Sequence, residues 1–128
     1  MLGFNANLKL QTTVNELEKL RDQLREFAAE RDWDQFHSPK NLASALAVEA
    51  AELLENFQWL TEAQSKQLSA DALKNVRAEI ADVLLYLIRI SDKLGIDLIA
   101  AAKEKIALNA TKYPVEMAHG NSKKYTEF

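Results

Sequence analysis

Three glycines and two prolines are all the strong helix breakers in a chain of 128 residues. With so few interruptions, and with Ala, Leu, Glu and Lys abundant, long helices are the regular structure the sequence favours from end to end. The expected fold is therefore all-α. Four long amphipathic segments with short connections make a four-helix bundle, in one domain covering residues 1–128, the natural architecture. At 48% apolar and 27% charged residues, a packed core is within reach.

The segment boundaries follow from local chemistry. Thr13-Val14-Asn15-Glu16 has the form of a capping box, and Val14, Leu17, Leu20, Leu24 and Phe27 then draw one apolar stripe that ends near Arg31. An unusually aromatic connector follows, Asp32 to His37. Ser38-Pro39 opens a second helix that is expected to run to about Trp59 and is apolar on most faces. Thr61 can cap a short turn. A third long helix is expected from near Asp71 to Leu94, stopped by Gly95, and Asp97 can cap a fourth that ends before Tyr113-Pro114. A mobile tail is expected from about residue 116.

Several function classes are excluded early. The chain has no cysteine, which removes disulfides, thiolate metal sites and cysteine nucleophiles. Sixteen basic residues against nineteen acidic ones give a net charge of −3, so no nucleic-acid partner is expected. No apolar run reaches the roughly 18 residues that span a bilayer, and no basic-then-apolar leader is present. A cytoplasmic protein without a membrane partner is the expectation.

Two departures from apolar patterning carry chemistry. Glu49 and Glu52 sit three apart on the second helix, and Glu79 and Asp82 repeat that spacing on the third. Residues three apart project from one helix face. A carboxylate on a core-facing stripe is costly unless it is paired or binds a cation. Two such pairs facing each other would offer oxygen ligands and no soft donor, a set suited to Mg²⁺ with substrate phosphates. A di-iron centre would normally use Glu-x-x-His, and the only histidines, His37 and His119, fall outside the helices.

Both stripes continue with further candidates. The first goes on to Asn56 and Trp59, with Glu55 beside it, and the second goes on to Tyr86. On the fourth helix Lys105, Asn109 and Lys112 form a polar, basic stripe that could clamp phosphate. Trp33 and Phe36, flanked by Asp32, Asp34 and His37, could stack a planar ring. Carboxylates, basic stripe and aromatic loop together describe a nucleotide pocket.

At these residues the sequence resembles the all-alpha nucleoside triphosphate pyrophosphohydrolases, the MazG-like superfamily, and within it the dCTP pyrophosphatase branch. The likeness rests on Phe27 through His37, Pro39-Lys40-Asn41-Leu42, Glu49-Ala50-Ala51-Glu52-Leu53 and Phe57-Gln58-Trp59. It continues through Glu79-Ile80-Ala81-Asp82 to Leu87, Asn109 through Val115, and Lys124-Tyr125-Thr126. It spans roughly residues 15–127. Many MazG-type members carry two adjacent glutamates at the first motif, whereas here Ala50 follows Glu49.

The resemblance implies a hydrolase that cuts a nucleoside triphosphate, such as dCTP or a modified dCTP, between the α and β phosphorus atoms, in nucleotide-pool clean-up. It implies Glu49, Glu52, Glu79 and Asp82 as Mg²⁺ ligands, with Mn²⁺ a possible substitute. One of the second-helix glutamates could take the proton of the attacking water, and Glu52 is the candidate. Trp33, His37 and Trp59 would surround base and sugar, and Tyr86, Lys105, Asn109 and Lys112 would reach the substrate. A homo-oligomer, a tetramer built as a dimer of dimers, is the implied assembly. The rival readings are a non-catalytic nucleotide-binding or assembly module, and a hydrolase of the same fold acting on another nucleotide such as dUTP.

Overall fold

Helix α1 covers Leu2–Glu30, α2 Pro39–Glu55, α3 Glu62–Ser65, α4 Ala70–Leu94, α5 Leu98–Lys112 and α6 Val115–Ala118. Single 3-10 turns lie at Asp34–Phe36 and Tyr125–Glu127. These assignments come from a computed structural model that describes the backbone from residue 2 onward and side chains from residue 16 onward. No strand occurs among the described residues, as expected of an all-α chain. No helix among them is long and apolar enough to cross a membrane.

Most helix starts are fixed by the residues that predicted them. The Ser38 hydroxyl accepts the Asn41 amide at 3.2 Å, with Pro39 at the first helical position, where its missing N–H costs nothing. Thr61 and Gln64 close a reciprocal capping box. Ser69 caps α4, Asp97 caps α5, and Gly95 ends α4 in the left-handed region at φ 66°.

Two boundaries differ from expectation. Helix α1 begins at Leu2, well before Thr13; the Thr13 side chain and its capping box lie outside the described residues. Helix α2 ends at Glu55 and not near Trp59. No glycine or proline stops it. Asn56 instead turns its side-chain amide back to the carbonyls of Glu52 (3.1 Å) and Leu53 (3.4 Å), competing with the backbone for the last acceptors.

The end of α1 aims the aromatic connector. The Trp33 amide donates to Ala28 O at 2.9 Å and the Asp32 amide to Ala29 O at 3.1 Å, the paired bonds of a Schellman cap. That cap needs a left-handed residue, and Asp32 supplies it at φ 53° where glycine is usual. The Asp32 carboxylate and carbonyl both accept from the Gln35 amide, which braces the turn.

The chain divides into two compact units, Met1–Gly95 and Ile96–Phe128. In the first, α4 is the central element: α2 packs along it most extensively and α1 packs against it. Leu42 from α2, Ala28 from α1, and Val76 and Ile88 from α4 are the buried apolar residues among those described. Burying a side chain such as Leu42 or Ile88 contributes about 1.5–3 kcal/mol. Phe27, placed on the apolar stripe of α1 by sequence, is nearly half exposed. Its ring meets Trp33 edge-on at 5.8 Å and lies beneath the Arg31 guanidinium at 3.6 Å. In the second unit, the chain after α6 returns to α5: Tyr125 and Phe128 each meet Tyr113 edge-to-face.

Candidate active site

The centre of the first unit is an acidic cluster between α2 and α4. Their i, i+3 spacings aim Glu49 and Glu52 from one helix toward Glu79 and Asp82 on the other. One oxygen each of Glu49, Glu79 and Asp82 lies within 4.8 Å of the others, all three side chains being half-buried. Glu52 stands outside that triad but within hydrogen-bonding reach of both Glu49 and Glu79.

The electrostatics of the cluster are unfavourable as they stand. Burial, together with hydrogen bonds to Glu52 and Glu79 and the charges of Glu52 and Asp82, pushes the Glu49 carboxyl up to about 7. Burial and the neighbouring carboxylates also raise Glu79, while its hydrogen bond with Glu49 acts the other way. Glu49 Oε2 and Glu79 Oε2 are buried and have no hydrogen-bond partner among the described residues. Buried polar atoms are ordinarily satisfied. Two orphaned carboxylate oxygens beside a third carboxylate, with no soft donor near, fit a hard divalent cation.

A second feature of α4 escaped the sequence reading. Arg89 extends the stripe of Glu79, Asp82 and Tyr86 by a further three residues, yet its side chain is buried, with the residue only 5% exposed. Its Nε donates to His37 Nδ1 at 3.1 Å and its Nη2 to Asp34 Oδ1 at 2.5 Å. Lys93 Nζ shares that Asp34 oxygen at 2.5 Å. Asp92, one turn on, lies 3.7 Å from Arg89 and receives two bonds from Arg25 of α1, at 2.7 and 2.5 Å. The Asp92 and Asp34 carboxyls are held below the usual range, chiefly by their hydrogen bonds to Arg25 and to Lys93. The network thus ties α1 and the aromatic connector to the far end of α4. A lone arginine in the apolar run Leu84 to Ile90 was the available signal; its hydrogen-bond partners His37 and Asp34, more than fifty residues away, were not.

The remaining candidates are distributed as follows. Trp33 is about half exposed and His37 half-buried, both on the connector. Tyr86 is half-buried on the acidic face of α4. Trp59, beyond the early end of α2, is 86% exposed. Lys105, Asn109 and Lys112 share a face of α5 in the second unit, where Lys112 Nζ sits 4.8 Å above the Tyr125 ring.

Comparison with known proteins bears on this arrangement. The model of the MazG-like family matches residues 45–128, which include all four acidic positions. The chain belongs to the MazG-like family. Human dCTP pyrophosphatase 1 is 42% identical over 113 residues, covering 87% of this chain and 66% of that protein. The bovine dCTP pyrophosphatase 1 is 39% identical, with 67% of its length covered. The chain thus spans about two thirds of the length of these curated relatives. A crystal structure of a pyrophosphatase from Archaeoglobus fulgidus is 43% identical, with a TM-score of 0.69 over 77% of this chain and 93% of that one.

Proposed function

We propose that this chain is a Mg²⁺-dependent nucleotide pyrophosphohydrolase that cleaves a deoxynucleoside triphosphate, dCTP or a modified dCTP, to the monophosphate and pyrophosphate. The observation that carries the proposal is the pair of partnerless buried oxygens on Glu49 and Glu79 beside Asp82 in a MazG-like chain. The likeness to dCTP pyrophosphatases supplies the substrate class.

Glu49, Glu79 and Asp82, with Glu52 beside them as a fourth ligand, would hold the cation, with Mn²⁺ an acceptable substitute. When bound, the ion neutralises phosphate charge and makes a water more acidic. Glu52 has a second part: its carboxylate, at the edge of the cluster, would take the proton from the attacking water. Lys105, Asn109 and Lys112 are proposed to meet the phosphates, the lysines offsetting charge as pyrophosphate departs. Trp33 offers a stacking face to the base, His37 a hydrogen bond, and Trp59 and Tyr86 contacts to the sugar and its surroundings.

We also propose a homo-oligomer, a tetramer built as a dimer of dimers. Leu73, Ile80 and Leu84 form an exposed apolar stripe on α4, which packing against a second copy would cover. Clearance of unwanted nucleotides from the precursor pool is the role that suits this chemistry.

The deciding experiment is pyrophosphate release from canonical and 5-substituted deoxynucleoside triphosphates with Mg²⁺. Fast turnover of dCTP-type substrates, lost in Glu52→Gln and in Asp82→Asn, is the expected result. No release from any triphosphate would remove the enzymatic reading and leave a helical nucleotide-binding module.

A further inference from the structure

The buried Arg89 faces an imidazole, which is an unusual partner for a guanidinium. Arginine has donors only and does not lose its proton in proteins. Its Nε–H points at His37 Nδ1 at 3.1 Å, so that nitrogen is an acceptor and carries no hydrogen. A neutral imidazole with Nδ1 bare has its proton on Nε2. Nε2 makes no hydrogen bond among the described residues, which leaves that proton available to a further acceptor.

The guanidinium itself has little freedom. Nη2 is bound to Asp34 Oδ1, which Lys93 also grips, and Nη1 faces Asp92, which Arg25 holds from α1. The charged groups facing His37 are Arg89, Lys93 and Asp34. Burial, then the positive charge of Arg89, holds the imidazole below its ordinary value. Lys93 acts in the same direction, and Asp34 opposes them. A second proton is thereby disfavoured around neutral pH.

We infer that Arg89 is a positioning residue that fixes the His37 proton on Nε2, so that the aromatic connector offers the substrate base one hydrogen-bond donor of set direction. The inference rests on the nucleotide-binding reading above and adds a source of base selectivity to it. Stacking on Trp33 accepts any base, because every base has a π-face. A fixed donor does not. Position 3 of cytosine is an acceptor, whereas uracil and thymine carry N–H there, and two opposed donors leave both unsatisfied. Selection for cytosine over uracil and thymine is the chemical consequence.

The test has one arm without substrate and one with it. Nitrogen-15 spectra of the imidazoles, with His37 assigned by the His119→Gln variant, report which nitrogen is protonated. The wild-type chain is expected to show neutral His37 with the proton on Nε2 near pH 7 and above. Arg89→Gln and Arg89→Lys, the latter keeping the charge but not the directed N–H, are expected to show a tautomer mixture. In steady-state assays with dCTP, dUTP and dTTP, Arg89→Gln should reduce the preference for dCTP by about tenfold or more. The change is expected in KM, with kcat on dCTP moving far less. His37→Phe, which leaves the Arg89–Asp34 bond in place, should lose the same preference and covers the case in which the Arg89 variants fold poorly.

Wild-type His37 protonated on Nδ1 or on both nitrogens near pH 7 would overturn the inference. So would an unchanged tautomer and an unchanged base preference in Arg89→Gln. The expected tautomer with no turnover of any triphosphate would support the proton assignment and overturn the function proposed above, so the two fail separately.

Discussion

Glu49 and Glu79 reach each other across the α2–α4 interface, and each keeps one buried oxygen without a partner among the described residues. Two acids so placed cannot both ionise cheaply, which is why Glu49 is pushed up to about 7 and Glu79 is raised with it. Only a cation relieves the arrangement with both groups charged.

The pH dependence of stability follows with a definite sign. Between the ordinary value of 4.5 and about 7 the folded chain retains a proton on Glu49 that the unfolded chain has released. Folding stability without metal therefore falls as pH rises across that window and then levels off. Thermal melts of the metal-free protein should show Tm dropping over this window. The Tm gain on adding MgCl₂ should be larger at about pH 8 than at about pH 5.5, because binding at the lower pH must also expel protons. Equal gains at both pH values would show that the pair does not bind the ion.

Glu52 and Asp82 should separate by phenotype. Glu52→Gln is expected to lower kcat by about 10²–10⁴-fold, the range for loss of a general base, with the Mg²⁺ requirement altered less than by Asp82→Asn. Asp82→Asn should instead raise the Mg²⁺ concentration needed for half-maximal rate. Metal titrations of pyrophosphate release distinguish the two. A Glu52→Gln variant that loses metal affinity as strongly as Asp82→Asn, with kcat at saturating Mg²⁺ unchanged, would make Glu52 a ligand and not the base.

Asp92 joins two arginines from different helices, and its side chain is only 12% exposed. Asp92→Asn should destabilise the chain by roughly 1–3 kcal/mol, because Arg89 then loses a charged partner in a buried setting. The Asp92 carboxyl is held below its ordinary value, so its contribution is present in full above 3.8 and disappears as pH falls through the lower folded value. The difference in Tm between wild type and variant should thus be greatest near neutrality and shrink in acid. A difference that persists unchanged to low pH would mean that packing, not charge, is what the variant removes.

Asp32 holds a left-handed conformation outside glycine's usual monopoly. Asp32→Val should cost about 1–2 kcal/mol from backbone strain alone, whereas Asp32→Gly relieves the strain but gives up the Gln35 brace. Denaturant melts should place the glycine variant near wild type and the valine variant clearly below it. Equal destabilisation by both would identify the side-chain brace as the dominant effect.

The legible parts of this fold were those written in neighbouring residues. Ser38-Pro39, Thr61 with Gln64, Gly95 and Asp97 mark helix ends because capping uses atoms within three or four positions. The acidic cluster was legible for the same reason, since i, i+3 spacing on two apolar helices leaves few other places for the charges to go. The end of α2 was not, because Asn56 can continue a helix or consume its last carbonyls, and only the surrounding turn decides. Phe27 belongs to the apolar stripe by period and to the Trp33 and Arg31 contacts in space. Arg89 has one partner within its own helix, Asp92, but its hydrogen bonds go to His37 and Asp34 of the connector, which no local pattern announces.

One face of α4 carries Glu79, Asp82, Tyr86, Arg89 and Lys93 in succession. The acidic cluster and the His37 support are therefore placed by a single rigid rod, with Asp82 and Arg89 about 10 Å apart along its axis. Their relation is one of phase. On the function proposed above, substitutions in the connector would retune what is recognised while the carboxylates stay where they are, but one residue inserted or deleted between Asp82 and Arg89 would swing the two ends about 100° out of step. Point changes should accordingly be the route by which selectivity drifts in such chains, with the length of this helix held constant.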